Sequence, residues 1–201
     1  MRDNYAITTA RAAQLFLGYD SAAMAEKFAL PLDEEFLYIT FVAAPYRVSR
    51  KTGLVERLGG DEPAPAGFNE SLTIYDVLCD SKPGCRLSGR YCRVNSLPGV
   101  AQTAGLGNDL FDSYAGRFDR DPAALARACE ALGGTPLSGA DVGYMLPLFP
   151  FLPVQLRFWR GDEDFPPSLQ LLWDEYALQF MRYETTYYAA GHLFDRLCGE
   201  I

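Results

Sequence analysis

The sequence predicts an α+β fold, with an antiparallel or mixed sheet and helices packed mainly on one side of it. Apolar and polar residues alternate from Val154 to Trp159, and this period of two is typical of a half-buried strand. From Pro122 to Leu132 apolar residues instead recur at the spacing of an amphipathic helix. The chain has 201 residues, a length that suits a single globular domain over residues 1–201 with a substantial core.

The N-terminal part shows both periods. We expect a helix from Asn4 to Leu17, ended by Gly18, and a short second helix over 22–28. The strand from Glu35 to Phe41 is apolar on both faces, which favours a central position in the sheet. Two further strands are expected at 46–49 and 54–57.

Residues 59–67 are rich in Gly, Pro and acids and predict an exposed loop. A helix follows, capped by Asn69 or Ser71 and running to about Cys79. Arg90 to Leu97 is consistent with a strand, and 108–118 with a helix.

The helix that begins after Asp121 carries the clearest signals. Asp121 is a good cap, Pro122 suits the first helical position, and Gly133 predicts the end. A closing helix is expected over 184–198. His192, the only histidine, is expected at its surface or boundary.

The segment from Val154 to Asp174 predicts a hairpin. Pro166 and Pro167 cannot donate to a strand ladder, so they lie in a stiff loop of roughly seven to nine residues. Just before it, Pro147, Pro150 and Pro153 recur every third residue. This spacing fits either a polyproline-II docking ridge or a covered sheet edge or crossover.

Three acids are concentrated on the hairpin loop, namely Asp162, Glu163 and Asp164. They form either a solvated turn or, with Asp174 or Glu175, a cation site or an acid–base pair, because close carboxylates shift each other's pKa values. Aromatic residues nearby suggest the walls of a pocket instead. The candidate ligand-binding residues are Trp159, Phe165, Trp173 and Tyr176.

Charge and composition restrict the function classes. A net charge of −8 repels phosphate backbones, so nucleic acid is not expected as a partner. No apolar run has the length of a membrane span, and no secretory signal is evident, so we expect a cytoplasmic protein without membrane contact. The five cysteines have no disulfide or metal spacing, and one histidine cannot build a histidine-rich metal site.

Several segments together resemble the domain-of-unknown-function family 3786. The segments are Leu87–Gly89 with Leu97–Gly99, Asp121–Pro122 through Leu132–Gly134, and Trp159–Pro167 followed by Leu172–Asp174. The resemblance implies a cytoplasmic α+β domain in an anaerobic setting and supplies no catalytic residues. Some relatives carry a four-cysteine iron–sulfur segment ahead of this domain. The present sequence shows no such segment, so no inherited cluster is expected, and Trp173 stands where the family usually has a smaller residue.

Three functions are consistent with these patterns. The favoured one is a non-catalytic module that binds a small molecule or a partner protein. The second is a hydrolase that uses the acidic loop as metal ligands or as an acid–base pair. The third is a structural subunit that docks through the proline ridge at 147–153. The residues name no cofactor, ligand or oligomeric state.

Overall fold

The computed structural model describes residues 2–100 and 112–200. Within these ranges the chain forms helices and two antiparallel sheets, which confirms the predicted α+β class. The helices are α1 (Arg2–Phe16), α2 (Ser21–Phe28), α3 (Phe68–Asp80), α4 (Asp112–Phe118), α5 (Pro122–Ala131) and α6 (Tyr183–Glu200). The strands are β1 (Phe36–Phe41), β2 (Ala44–Ser49), β3 (Val55–Arg57), β4 (Ala64–Pro65), β5 (Tyr91–Arg93), β6 (Thr135–Pro136), β7 (Val142–Phe149), β8 (Leu152–Trp159) and β9 (Ser168–Asp174).

The first sheet has the strand order β1-β2-β3-β4. The predicted central position of the first strand is therefore wrong, because β1 lies at the edge of this sheet. Its two faces differ: Leu37 and Ile39 are fully or nearly fully buried, whereas Phe36 and Tyr38 are only partly so. The apolar outer face is tolerated because the guanidinium of Arg47 lies 4.0 Å from the Phe36 ring centroid and shields it.

The second sheet has the order β5-β9-β8-β7-β6. Its centre is the predicted hairpin, with Val154 opposite Trp173 and Phe158 opposite Leu169. Residues 160–167 form the connecting loop, within the expected length range. The predicted strand from Arg90 is shorter than expected: β5 ends at Arg93, and a 3₁₀ turn follows.

The polyproline-II interpretation of 147–153 is wrong, because this segment forms the turn end of the β7–β8 hairpin. Pro147 and Pro153 lie opposite each other, and Pro150 is an exposed turn residue. Pro147 lies beyond the point where β6 pairs with β7, so its missing N–H costs no bond on that side. The other interpretation of 147–153, a covered sheet edge or crossover, is closer to the observed hairpin than a polyproline-II ridge is.

The helix caps follow local chemistry, with one correction. Asp121 caps α5 as predicted, accepting the Ala124 N–H at 2.9 Å. At the start of α3 the cap residue is Gly67 rather than Asn69 or Ser71, because the Glu70 carboxylate reaches back to the Gly67 N–H. The predicted start of the 108–118 helix lies outside the described residues, and α4 is its described part.

The two sheets share one hydrophobic core. Phe41 of β1 stacks on Phe149 of β7 with ring centroids 4.7 Å apart, and the Val42 N–H donates to the Leu148 carbonyl at 2.7 Å. Over the first sheet, α3 packs between α1 and α6. This helical layer is the part of the fold that positions the candidate site.

Candidate functional site

The acidic loop holds its own backbone. The Asp162 carboxylate accepts the N–H groups of Asp164 and Phe165 at 2.9 and 2.8 Å, which is an Asx-type turn. Glu163 and Asp164 are exposed. The contacts of Asp162 therefore indicate a loop-forming role for this acid.

Asp174 also binds backbone groups. It is fully buried and accepts the N–H groups of Ser88, Gly89 and Tyr176 at 2.8 to 3.0 Å. The length of β9 separates it from the loop, which is roughly 20 Å at the usual rise of a strand. The structure thus places Asp174 and the loop acids at opposite ends of the hairpin.

The four aromatic candidates do not line one pocket. Trp173 is buried opposite Val154, whereas Trp159 is half-buried opposite Ser168, at the other end and on the other face of the hairpin. Phe165 is 70% exposed and Tyr176 is partly buried beyond the end of β9. The loop and Asp119 border an open depression of about 530 Å³ that includes Phe165 but neither tryptophan.

A better-formed cavity of about 410 Å³ lies between α1, α3 and α6. We call it the Asp76 cleft. Its walls are mainly apolar and include Ala12, Leu15, Leu72, Tyr75 and Tyr188, while its polar groups are Asp76, Asp80, Arg182 and Thr185. An apolar cavity of this size with a few convergent polar groups is typical of small-molecule sites.

Asp76 is 6% exposed and is held by several donors. It accepts the backbone N–H of Arg182 at 2.7 Å and the Thr185 hydroxyl, and it pairs with the Arg182 guanidinium at 3.2 Å. Arg182 directly precedes α6, so the positive end of the helix dipole faces the carboxylate. Burial nevertheless raises the pKa of Asp76, and a hydrogen bond with Asp80 acts in the same direction.

The other reactive groups of this cleft are not activated. Burial, reinforced by Asp80 and Asp76, raises the pKa of the Cys79 thiol to about 12, so this cysteine is not a thiolate at neutral pH. The Tyr75 hydroxyl donates to the Gly53 carbonyl at 2.7 Å, and burial raises its pKa. These groups suit hydrogen bonding and packing against a ligand rather than nucleophilic attack.

A second depression, of about 490 Å³, lies on the other side of Tyr188, which borders both cavities. Its floor contains His192 and Glu70. The Tyr46 hydroxyl donates to Glu70 at 2.5 Å and lies 3.4 Å from His192 Nε2. The expectation of a surface or boundary histidine is wrong, since His192 is only 7% exposed. Its ring stacks on that of Phe41, with the ring centroids 4.9 Å apart. Burial lowers the pKa of His192 to about 4, although Glu70 acts in the opposite direction.

Asp76 was not identified as a site residue from the sequence, and the burial of His192 was not predicted. For Asp76 the sequence does contain a pattern that indicates its position. Asp76 lies four residues after Leu72 and four before Asp80, which places an acid on a partly apolar face of α3. The burial of His192 follows from the packing of α3 and α5 against α6 and from the stacking of its ring on Phe41 of β1, so it depends on distant segments.

Other types of site find no support in the described residues. Over 2–100 and 112–200, no group of three or more His, Cys, Asp or Glu side chains is arranged to hold a metal ion. In the same ranges, no helix combines the length and the apolar character needed to cross a membrane. All five cysteines are free thiols.

The fold and the cleft together define an α+β protein with a ligand-sized cavity between three helices. Residues 20–196 match the family described as Domain of unknown function (DUF3786), so the chain belongs to this family. The resemblance noted in the sequence is thereby confirmed. The matched range includes α3 and α6 as far as Arg196, whereas α1 lies before the matched range. Comparisons with curated proteins and with solved structures gave no match.

Proposed function

We propose that this protein is a non-catalytic small-molecule-binding module whose ligand lies in the Asp76 cleft. The observation that carries the proposal is an almost completely buried carboxylate at the edge of an apolar cavity of about 410 Å³. Structural carboxylates of this kind are usually enclosed by protein, whereas Asp76 borders a space of the size that ligands occupy. The convergence of Asp80, Arg182 and Thr185 on the same space supplies further polar contacts.

The lining indicates a ligand with an apolar body and one polar end. Leu15, Leu72 and Tyr188 would contact the apolar part. The Arg182 side chain is 63% exposed, and its guanidinium uses Nε for Asp76 and Nη2 for Asp80, so the N–H groups of Nη1 can donate to a ligand. A small amphipathic metabolite with a hydrogen-bond acceptor at one end fits this arrangement.

The alternatives have weaker support. A hydrolase using Asp162 and Asp174 would have to release carboxylates that hold the backbone of a turn and of a chain crossing. A docking role for 147–153 would have to use a hairpin of which only Pro150 is fully exposed. We also propose that the protein lies in the cytoplasm of an anaerobic cell, as the resemblance noted in the sequence implies, and its five free thiols suit a reducing compartment.

The test is an NMR screen of a fragment library against ¹⁵N-labelled protein. We expect amphipathic fragments to shift the amide signals of Leu72 and Thr185, which border the cleft. Trp159 adjoins the hairpin loop and reports on that alternative site, because the indole N–H of each of the two tryptophans gives its own signal. Fragments that shift the Trp159 indole and leave the cleft amides unchanged would place the ligand at the hairpin loop.

A pair of α1 variants sharpens this screen. Thr8 borders the cleft and Ala10 does not, and both are exposed positions of the same helix. Thr8→Trp should abolish the shifts by filling the cavity, while Ala10→Trp should leave them intact. Equal behaviour of the two variants, or no fragment that shifts the cleft amides, would contradict the proposal.

A further inference from the structure

The second depression, beside Tyr188, combines aromatic rings with carboxylates. Tyr5, Phe68 and Tyr188 border it from three helices, and Glu70 and Asp195 border it as well. We propose that this depression binds the ammonium group of an organic cation, with a methylated ammonium as the preferred form. The site is separate from the Asp76 cleft and does not depend on the function proposed there.

Three aromatic rings that pack edge to face border the depression. The Tyr5 and Phe68 ring centroids are 4.5 Å apart with planes inclined by 60°, and Phe68 and Tyr188 are 5.5 Å apart and inclined by 79°. In an edge-to-face pair one ring contacts its neighbour through its edge, so its own faces stay clear of that neighbour. Ring faces attract cations electrostatically, and several rings around one space form an aromatic cage.

The carboxylates supply the opposite charge. Glu70 is fixed in place, since one oxygen accepts the Tyr46 hydroxyl and the other accepts the Gly67 N–H. Asp195 is exposed on α6, one turn after His192, and within the described residues its hydrogen bonding is limited to a long contact of 3.4 Å with the Tyr114 hydroxyl. The net charge of −8 adds a long-range attraction for cations and repels anionic ligands.

The neighbouring basic groups leave these carboxylates available. The imidazole of His192 is buried and remains neutral at neutral pH, because burial lowers its pKa to about 4. Arg196 donates its guanidinium to the Val42 carbonyl at 2.8 Å, on the β1–β2 turn. The positive charges of Arg196 and Arg57 also lower the pKa of His192, but neither arginine borders the depression.

Hydration distinguishes the possible cations. Small metal ions and primary ammonium groups are strongly hydrated, and an open depression with few oxygen ligands does not replace that hydration. A methylated ammonium is large and weakly hydrated, and its methyl groups can contact the ring faces directly. The lining therefore fits a quaternary or highly methylated ammonium better than a metal ion.

Choline is a suitable probe, and 3,3-dimethylbutan-1-ol is its uncharged isostere. The single imidazole signal of His192 reports binding by NMR, because this ring borders the depression. We expect choline to shift the signal saturably and the isostere to leave it unchanged. Equal shifts from both compounds would show that the depression recognises an apolar shape only, and no saturable shift from choline would equally overturn the proposal.

Variants of Tyr5 test the role of the ring. Tyr5 is 51% exposed, so its replacement is compatible with folding. Tyr5→Ala should weaken choline binding about 3- to 5-fold, the range of an exposed cation–π contact, whereas Tyr5→Phe should preserve it. Tyr19→Ala, at an exposed tyrosine outside this depression, is the matched control. Unchanged affinity in Tyr5→Ala would remove the aromatic basis of the site.

A further variant tests the charge. Asp195→Asn keeps the side-chain shape and should weaken choline binding about 2- to 5-fold at low salt, with a smaller effect at high salt. The amide signals of Leu72 and Thr185 report separately on the Asp76 cleft. Choline binding without fragment binding there, or the reverse, would thus separate the two proposals.

Discussion

At the scale of single residues, buried carboxylates hold distant backbone segments together. Asp174 receives three backbone N–H groups, two of which belong to Ser88 and Gly89, far away in the sequence. Asp76 similarly joins α3 to the start of α6 through Arg182. A buried carboxylate that accepts several N–H groups satisfies their hydrogen bonding, and its loss leaves buried donors without partners.

The first prediction concerns Asp174→Asn. An asparagine can present only one oxygen to the three N–H groups and turns its own NH₂ towards a donor, so we expect a loss of roughly 2–4 kcal/mol in the free energy of unfolding. Urea denaturation measures this loss. Glu175→Gln is the matched control, since Glu175 pairs with Arg90, whose side chain is 72% exposed, and the change should cost less than about 1 kcal/mol. Similar stabilities of the two variants would mean that the Asp174 contacts contribute little.

The roles of these acids were only partly predictable. The turn formed by Asp162 depends on residues two and three positions later, so its chemistry is visible in the sequence. Two of the three partners of Asp174, Gly89 and Ser88, lie 85 and 86 positions away. Nothing in a local pattern distinguishes such an acid from a catalytic one, because both are single acids beside apolar residues.

At the scale of elements, the position of α1 depends on the turn between β2 and β3. Gly53 has φ of 75° and lies directly against the backbone of Ala13 in α1. Its carbonyl also accepts the Tyr75 hydroxyl of α3. One glycine thus sets the spacing between the first sheet and two of the helices that border the Asp76 cleft.

The second prediction therefore concerns Gly53→Ala. The added methyl group would overlap the Ala13 carbonyl and displace α1, with an expected loss of roughly 2–4 kcal/mol and weaker fragment binding in the cleft. Gly84→Ala is the matched control, because Gly84 has a similar φ of 67° but open space around it. The control carries only the backbone strain of roughly 1–2 kcal/mol. Urea denaturation compares the two variants, and equal losses would exclude a contact effect.

Elements with a strong local period were predictable, while their neighbours in space were not. The 154–174 hairpin and the helix after Asp121 rest on alternation, caps and prolines within a few residues. The edge position of β1 and the hairpin formed by 147–153 depend on pairing and cover from other segments. The Asp76 cleft requires three helices from both ends of the chain, so no single segment predicts it.

At the scale of the whole molecule, the β1–β2 turn connects the two sheets and α6. Val42 donates to Leu148 of the second sheet and accepts from Arg196 of α6, and Phe41 lies between Phe149 and His192. The strained positive φ of Val42 is held by these contacts. These contacts couple the two sheets and α6 to one another, so we expect the chain to unfold in one cooperative transition as a single domain.

The third prediction follows from the buried histidine at this junction. An unfolded histidine has a pKa near 6.5, whereas burial lowers that of His192 to about 4. Above about pH 6.5 the ring is neutral in both states, and its full contribution to stability is present. As the pH falls towards about 4 the unfolded chain binds the proton first, and roughly 3 kcal/mol of stability is lost. Below the folded pKa both states are protonated and no further loss comes from this group.

Comparison with His192→Gln isolates this contribution. The raised pKa of Asp76 acts in the opposite sense, because the folded state then favours the protonated acid as the pH falls. This effect is common to both proteins and cancels in their difference. Urea denaturation across the range from about pH 6.5 to about 4 should therefore show a steeper loss in the wild type than in His192→Gln. Parallel stability curves for the two proteins, or an imidazole NMR titration with a midpoint near 6.5, would contradict this prediction. Either result would mean that solvent reaches His192 at the junction and that its burial does not make stability depend on pH.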